Sequence, residues 1–266
     1  MSFTSNGGLS LTSASSLWTI SGNATFTSTT GSITTNAGEN IAFNAVDSSF
    51  QLSDTFSVQA VNISLSASAL LNVSTASDLT LKTGGKFTII SQSDINLLST
   101  SGNYSLSAAN STINSSGIIQ LLALGSLDAT AATITLNSLG VASFIAAGKF
   151  QLQGSSLSLS STSNSQISSG TDFLISAQNS FSLNAATAIL SFANSVNISS
   201  TTGTFTTTSV LGLSSGTTNM QSAGTTTITS GSDSSWKSGN NMSLTAVGSF
   251  NLQRMTGQSR LHLLST

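Results

Sequence analysis

The sequence contains no cysteine and no proline, and only 5% of its 266 residues are charged. Without cysteine the chain has no disulfide bonds, no thiolate nucleophile and no thiolate ligands for a structural zinc site. Without proline it is neither collagen-like nor a proline-rich spacer. A net charge of -2 is too small for disorder driven by charge repulsion. Six Lys and Arg residues are too few for the basic surface that binds nucleic-acid phosphates.

Other features are scarce as well. No run of about 18 apolar residues is present, so a transmembrane helix is not expected. The first residues also lack the basic and apolar regions of a secretory signal. His262 is the only histidine, and the chain is therefore a poor candidate for a Ser-His-Asp triad despite its many serines. These absences point away from an enzyme.

Hydroxyl side chains dominate instead. Serine (59 residues) and threonine (37 residues) make up more than a third of the chain, while 38% of the residues are hydrophobic. The chain is therefore polar without being charged, and it still has enough apolar residues for a core. This composition favours a structural protein.

Pairs of apolar residues recur about every eight positions over most of the sequence. In residues 62–97 the pairs occur in the segments ISL, LNV, LTL, FTI and INL. The pattern continues to Leu252 with a few steps of seven or nine. One polar residue separates the members of each pair, which is the alternation of a β-strand with one buried face. We expect residues such as Leu71 and Val73 to face inward and Asn72 to face outward.

Glycine often follows the second apolar residue by four positions, as at Gly85, Gly117 and Gly125. Because glycine adopts positive φ at little cost, these positions predict corners with a left-handed backbone. Each repeat is therefore predicted to be a strand of about five residues followed by a corner of about three.

A strand this short cannot bury its own apolar residues, so successive repeats must stack into a β-solenoid. The predicted fold class is all-β, and repeats of equal length favour three faces with about 24 residues per revolution. One chain could wind alone, to a height of about 50 Å, or three identical chains could wind together, to about 150 Å, at one strand spacing of about 4.8 Å per layer. The uniform repeat, with no stronger signal at 24 residues, favours an intertwined homotrimer.

Three segments carry a family resemblance: residues 61–68 (VNISLSAS), 78–85 (DLTLKTGG) and 241–248 (NMSLTAVG). They resemble the octapeptide needles of contractile phage tail-spike proteins and of the valine-glycine-repeat spike proteins of type VI secretion. The resemblance covers about residues 9–252 and concerns architecture more than family. It implies a triple-stranded β-helix, or β-prism, formed by a homotrimer.

The predicted organisation has three parts: an N-terminal lead-in (1–8), the repeat rod (9–252) and a C-terminal cap, tip or attachment segment (253–266). The last part contains Arg254, Arg260 and His262, which cluster where the repeat fades. Leu261 and Leu263 flank the histidine, so alternation predicts that His262 points outward and has a structural role. We therefore predict no metal site there.

The acidic residues do not form a predicted catalytic site, and no catalytic or cofactor-binding residue is expected. They are Glu39, Asp47, Asp54, Asp78, Asp94, Asp128, Asp172 and Asp233. Asp78, Asp94 and Asp172 each precede the first apolar residue of a strand, where a short acceptor side chain can bond the backbone of a corner. Residues 84–86 (GGK) lack the spacing of a phosphate-binding loop and are also predicted to form a corner.

The expected function is that of a non-enzymatic spike or needle of a virion or contractile injection machine, acting in host contact or penetration of the cell envelope. The expected partners are two identical chains and a baseplate, capsid vertex or hub protein at one end, without nucleic acid. The expected location is a virion or an extracellular injection apparatus.

Two alternatives remain open. The chain could be a single-chain β-helical adhesin segment similar to filamentous haemagglutinin. It could also be an ice-binding solenoid, because residues 204–208 (TFTTT) and 225–229 (TTTIT) are rich in threonine. Against ice binding, outward residues elsewhere vary among Ser, Asn, Gln, Thr and Ala, so a long uniform threonine ladder is not expected.

Overall fold

Each repeat forms a short β-strand because its apolar and polar residues alternate. In β10 (Leu71–Thr75), Leu71 and Val73 are buried, whereas Asn72 between them is partly exposed. The computed structural model describes residues 2–7, 9–232, 234–254 and 261–265, and for residues 254 and 261–265 only the backbone. This part of the chain contains 31 strands and no helix, which confirms the predicted all-β class.

The strands lie on three faces, here called A, B and C in the order in which the chain visits them. Face A is a parallel sheet of 12 strands, and faces B and C together form a second sheet of 19 strands. Three long strands of the second sheet turn the corner between faces B and C and contribute to both.

Face A consists of β1 (Ser2–Ser5), β4 (Ala24–Ser28), β7 (Ser48–Leu52), β10 (Leu71–Thr75), β13 (Ile95–Ser99), β16 (Ile119–Ala123), β19 (Ala142–Ala146), β21 (Asn164–Ser169), β23 (Thr187–Phe192), β25 (Leu211–Ser215), β28 (Ser234–Ser238) and β31 (Leu261–Ser265). Face B contains β2 (Leu9–Ser13), β5 (Ile33–Ala37), β8 (Phe56–Ala60), β11 (Leu79–Thr83), β14 (Tyr104–Ser107), β17 (Leu127–Thr130), β26 (Thr217–Ser222) and β29 (Met242–Ala246). Face C contains β3 (Ser16–Thr19), β6 (Asn40–Ala45), β9 (Asn62–Ala67), β12 (Lys86–Ser91), β15 (Asn110–Ser115), β18 (Thr133–Ser138), β27 (Thr226–Ser230) and β30 (Phe250–Arg254). Faces B and C share β20 (Phe150–Ser161), β22 (Phe173–Ala185) and β24 (Ser195–Thr207).

Each strand, apart from those of the last turn, pairs in parallel with the strand one turn further along the chain. On face A, Leu71 lies beside Ile95 and Ile119 lies beside Ala142, so a turn spans about 23 or 24 residues. The chain thus forms a three-sided β-solenoid of about 11 turns, and the predicted solenoid is confirmed. In this structure one chain occupies all three sides of each turn, which is the single-chain winding considered above.

The core runs along the axis of the solenoid and is filled from all three faces. Leu97, Leu121 and Phe144 stack on successive turns of face A and are 3% exposed or less. Aromatic rings follow the same columns, and the rings of Phe26 and Phe50 are stacked with centroids 4.9 Å apart. The sequence prediction of an inward apolar pair in each repeat is confirmed for these strands.

Strands also occur in both segments predicted to flank the rod. In residues 1–8, β1 pairs with β4. In residues 253–266, β31 pairs with β28, and the register places His262 beside Ser235. The side chains of Arg254 and His262, and Arg260 as a whole, lie outside the described residues.

Candidate functional surface

The aspartates that precede strands connect neighbouring turns of the solenoid. Asp78 Oδ1 accepts a hydrogen bond from the backbone N–H of Asn103 (2.7 Å), and Asp94 Oδ1 accepts one from Ile118 (2.8 Å). Asp172 Oδ1 accepts from the N–H of a residue that lies 23 positions later. The predicted role as corner acceptors is confirmed, and the bonded N–H belongs to the next turn.

Glycines of the next turn make room for these carboxylates. A Cβ placed on Gly117 would overlap Oδ1 of Asp94, and a Cβ placed on Gly102 would lie 2.5 Å from Oδ1 of Asp78. The predicted left-handed conformation is wrong, because the φ angles of Gly85, Gly117 and Gly125 all lie outside that region. Glycine is required at these corners because turns approach closely, as between Gly125 and the carbonyl oxygen of Gly102.

The segment GGK at 84–86 also receives a side-chain acceptor from the preceding turn. Gly84 lies between β11 and β12, and Lys86 is the first residue of β12. Its backbone N–H donates to Asn62 Oδ1 (2.9 Å), an asparagine one turn earlier. The segment is therefore a corner, as predicted.

Buried hydroxyl groups at the ends of strands were not predicted from the sequence. A third inward residue follows the apolar pair in many strands, and it is often serine or threonine. Ser138 Oγ donates to the carbonyl oxygen of Gly117 (2.6 Å) and accepts from the N–H of Gly140 (3.2 Å). Ser161 and Ser169 bond carbonyl oxygens of the preceding turn in the same way. Part of the serine content thus holds the corners together.

Among the side chains that the structure describes, two ionisable groups have perturbed pKa values. Burial raises the pKa of Asp128, and the nearby positive charge of Lys149 opposes that shift. Burial also raises the pKa of Tyr104, which lies in the core on β14. No three His, Cys, Asp or Glu side chains come close enough to hold a metal ion within the described residues. The position of Asp233 is outside them.

Outward residues on face C form a column of hydroxyl groups. Over eight consecutive turns the outward position between the first two inward residues carries serine or threonine, and each member lies beside the next in the parallel register. The column consists of Ser64, Thr88, Thr112, Thr135, Ser158, Ser182, Thr204 and Thr227. It mixes serine with threonine and is therefore not the uniform threonine ladder of the alternative discussed above.

The two threonine-rich segments meet on this face. Thr204 lies beside Thr227 and Thr206 lies beside Thr229, so that two adjacent turns present four outward threonines in register. At the equivalent position face A carries the amides of Asn96 and Gln120 on two successive turns. Faces A and C thus differ in surface chemistry on these turns.

No helix long and apolar enough to cross a bilayer occurs among the residues described here. Comparisons with protein-family models, with curated proteins and with solved structures give no match to this chain.

Proposed function

We propose that this protein is a non-enzymatic structural rod that serves as a spike or needle of a virion or contractile injection machine. The observation that supports this role most strongly is the unbroken stack of parallel strands on all three faces. The rod would act in contact with a host or in penetration of its envelope, at a virion or extracellular location.

The mechanical argument rests on the way the strands are joined. Backbone hydrogen bonds connect each turn to the next along the whole stack, and bonds such as that from Ser138 to Gly117 add to them at the corners. Bending such a rod stretches many hydrogen bonds at once and opens a tightly packed apolar core. An outer surface of neutral side chains limits electrostatic adhesion to the layers through which a needle slides.

The partners are part of the proposal. Two further copies of the chain complete a homotrimer, and a baseplate, capsid vertex or hub protein holds one end. Measurement of the solution mass tests the trimer: three chains of 26.8 kDa give about 80 kDa. Electron microscopy of the same sample adds the length, because an intertwined trimer is about 150 Å long and a self-wound chain about 50 Å.

The role itself is tested on the source particle. An antibody raised against the purified chain should label a projection at a vertex or at the tail end of intact particles. Labelling that is absent from particles, or spread over cells that lack them, would remove the spike from consideration. Pre-absorption of the antibody with the purified protein is the control.

A second candidate is a single-chain β-helical adhesin segment. The observation that favours it is the winding of one chain through all three sides of each turn, with Leu71 beside Ile95 and so on along the stack. A solution mass of 26.8 kDa together with a rod about 50 Å long would support it over the intertwined needle.

Ice binding is favoured by one observation only, the register of Thr204 and Thr206 with Thr227 and Thr229. Thermal hysteresis should then be measurable and should fall when Thr206 is replaced by lysine. A solution without thermal hysteresis excludes this candidate.

A further inference from the structure

A groove follows the corner between faces C and A in the N-terminal half of the solenoid. It consists of two adjoining hollows of about 320 and 270 Å3, which share Ile90 and Gln92 in their walls. The groove begins near Thr19 and ends near Leu139, so it crosses six turns. At one strand spacing of about 4.8 Å per turn, it is about 24 Å long.

The groove is lined by amides, hydroxyls and a few apolar side chains, and no charged residue lines either hollow. Asn114 and Asn137 stand on neighbouring turns, with Asn137 Nδ2 donating to Asn114 Oδ1 (3.2 Å). Apolar surface is also exposed there: Ile90 is 44% exposed and Leu139 is 63% exposed. The same groove therefore offers polar and apolar contacts, repeated along its length.

This lining excludes several kinds of elongated ligand. Nucleic acids and acidic polymers need cationic side chains, which the groove lacks. A peptide that adds a β-strand needs an unpaired strand edge. In the walls of the groove, β12 is paired on both sides, with β9 and with β15, and it offers no such edge.

We propose that the groove binds a neutral, extended oligosaccharide. Sugar hydroxyl groups match the amides and hydroxyls of the walls, because both donate and accept hydrogen bonds. The apolar faces of sugar rings pack on side chains such as Ile90. A polymer that repeats along the groove meets similar groups at each turn. The inference rests on the host-contact role proposed above and on the winding of one chain through all three sides, and it gives that role a chemical partner.

Affinity electrophoresis tests the proposal with three neutral polymers, namely dextran, mannan and a β-1,3-glucan, and with polygalacturonate as an acidic polymer. The chain should be retarded by at least one of the neutral polymers. Replacement of Ile90 by glutamate places an unpaired charge in the groove and should weaken that binding about tenfold or more, the equivalent of about 1.4 kcal/mol. Ile189→Glu is the matched control, because Ile189 is 52% exposed on face A, outside the groove.

The control variant should bind within about twofold of the unmodified chain. Circular dichroism of both variants verifies that the β-structure is intact. Retardation by none of the neutral polymers overturns the proposal, as does equal weakening by the two variants or stronger binding to polygalacturonate. These results do not depend on the particle-labelling experiment, so a failed groove and a failed spike role can be told apart.

Discussion

Tyr104 is the only tyrosine in the chain, so its ionisation can be followed by absorbance without signal from another phenol. Its side chain is 1% exposed, and its hydroxyl has no hydrogen-bond partner. Burial raises the pKa of this phenol above the ordinary value of 10.0, because the phenolate loses its hydration in the core. The folded protein should therefore keep Tyr104 protonated at pH values where the unfolded chain loses the proton.

The sign of the effect on stability follows from proton binding. Above pH 10 the folded state holds one proton more at this site than the unfolded state, so the free energy of unfolding falls as the pH rises. For a single site the slope is at most about 1.4 kcal/mol per pH unit. Tyr104→Phe removes this contribution and keeps the ring. At neutral pH the same change should raise stability by about 1 to 3 kcal/mol, because a buried hydroxyl without a partner is lost.

The experiment combines urea unfolding of both proteins, at neutral pH and at about pH 11, with titration of tyrosinate absorbance. The difference in stability between Tyr104→Phe and the unmodified chain should grow with pH, while lysine deprotonation affects both alike. Tyrosinate that forms reversibly near pH 10, with the β-structure retained, would show that Tyr104 is solvated. A less stable Tyr104→Phe protein at neutral pH would show that the hydroxyl has a partner. Either result refutes the reasoning.

Further substitutions test the core and the corners by urea unfolding. Leu121→Ala should cost about 2 to 5 kcal/mol because the side chain is 3% exposed. Leu124→Ala changes a corner residue that is 55% exposed and should stay within about 0.5 kcal/mol, and equal costs of the two changes would contradict the placement of Leu121 in the core. Ser138→Ala should lower the free energy of unfolding by about 1 to 3 kcal/mol. An unchanged stability would show that the hydrogen bonds of Ser138 do not stabilise the corner. Gly117→Ala should destabilise the protein less when Asp94 is already alanine, with a coupling energy of about 0.5 to 3 kcal/mol. Strictly additive effects would show that the two residues do not interact.

The strands and their buried faces could be predicted from the sequence because alternation alone decides which side chains face inward. Leu71, Val73 and Leu97 were assigned correctly without knowledge of the winding, since any stacked arrangement of these strands buries the same apolar pair. The corner role of Asp94 could be predicted for a similar reason. A short acceptor beside a turn has few partners other than backbone N–H groups.

The buried serines could not be recognised, because their sequence context is shared by outward serines. Ser138 lies inward and Ser143 lies on the outer side of the next strand, and each is surrounded by similar residues. Only the position two residues after the apolar pair distinguishes Ser138. The groove could not be predicted either, because it forms where faces C and A meet, and residues far apart in sequence, such as Thr19 and Leu139, line its two ends.

The length of a turn was present in the sequence, in pairs of residues that the eight-residue pattern conceals. Asp94 and Gly117 are 23 positions apart, and Asp78 and Gly102 are 24 positions apart. In each pair the aspartate occupies space that a side chain on the glycine would fill. In this structure both pairs are contacts between residues one whole turn apart on the same chain. A search for acidic or amide residues followed by glycine at this distance would have indicated the winding.

Differences between the faces bear on the same question. In an intertwined homotrimer, threefold symmetry gives every side the same set of residues, each layer being shared by three copies. A self-wound chain can give each side its own chemistry. Here face C carries hydroxyls at eight successive turns, whereas face A carries Asn96 and Gln120 at the equivalent position. A groove lined by the residues of one corner alone, such as that between faces C and A, is possible only for the second arrangement. The solution mass therefore has a consequence for binding: a self-wound rod can carry this groove along one corner, and three copies that share every layer would have to form it three times or not at all.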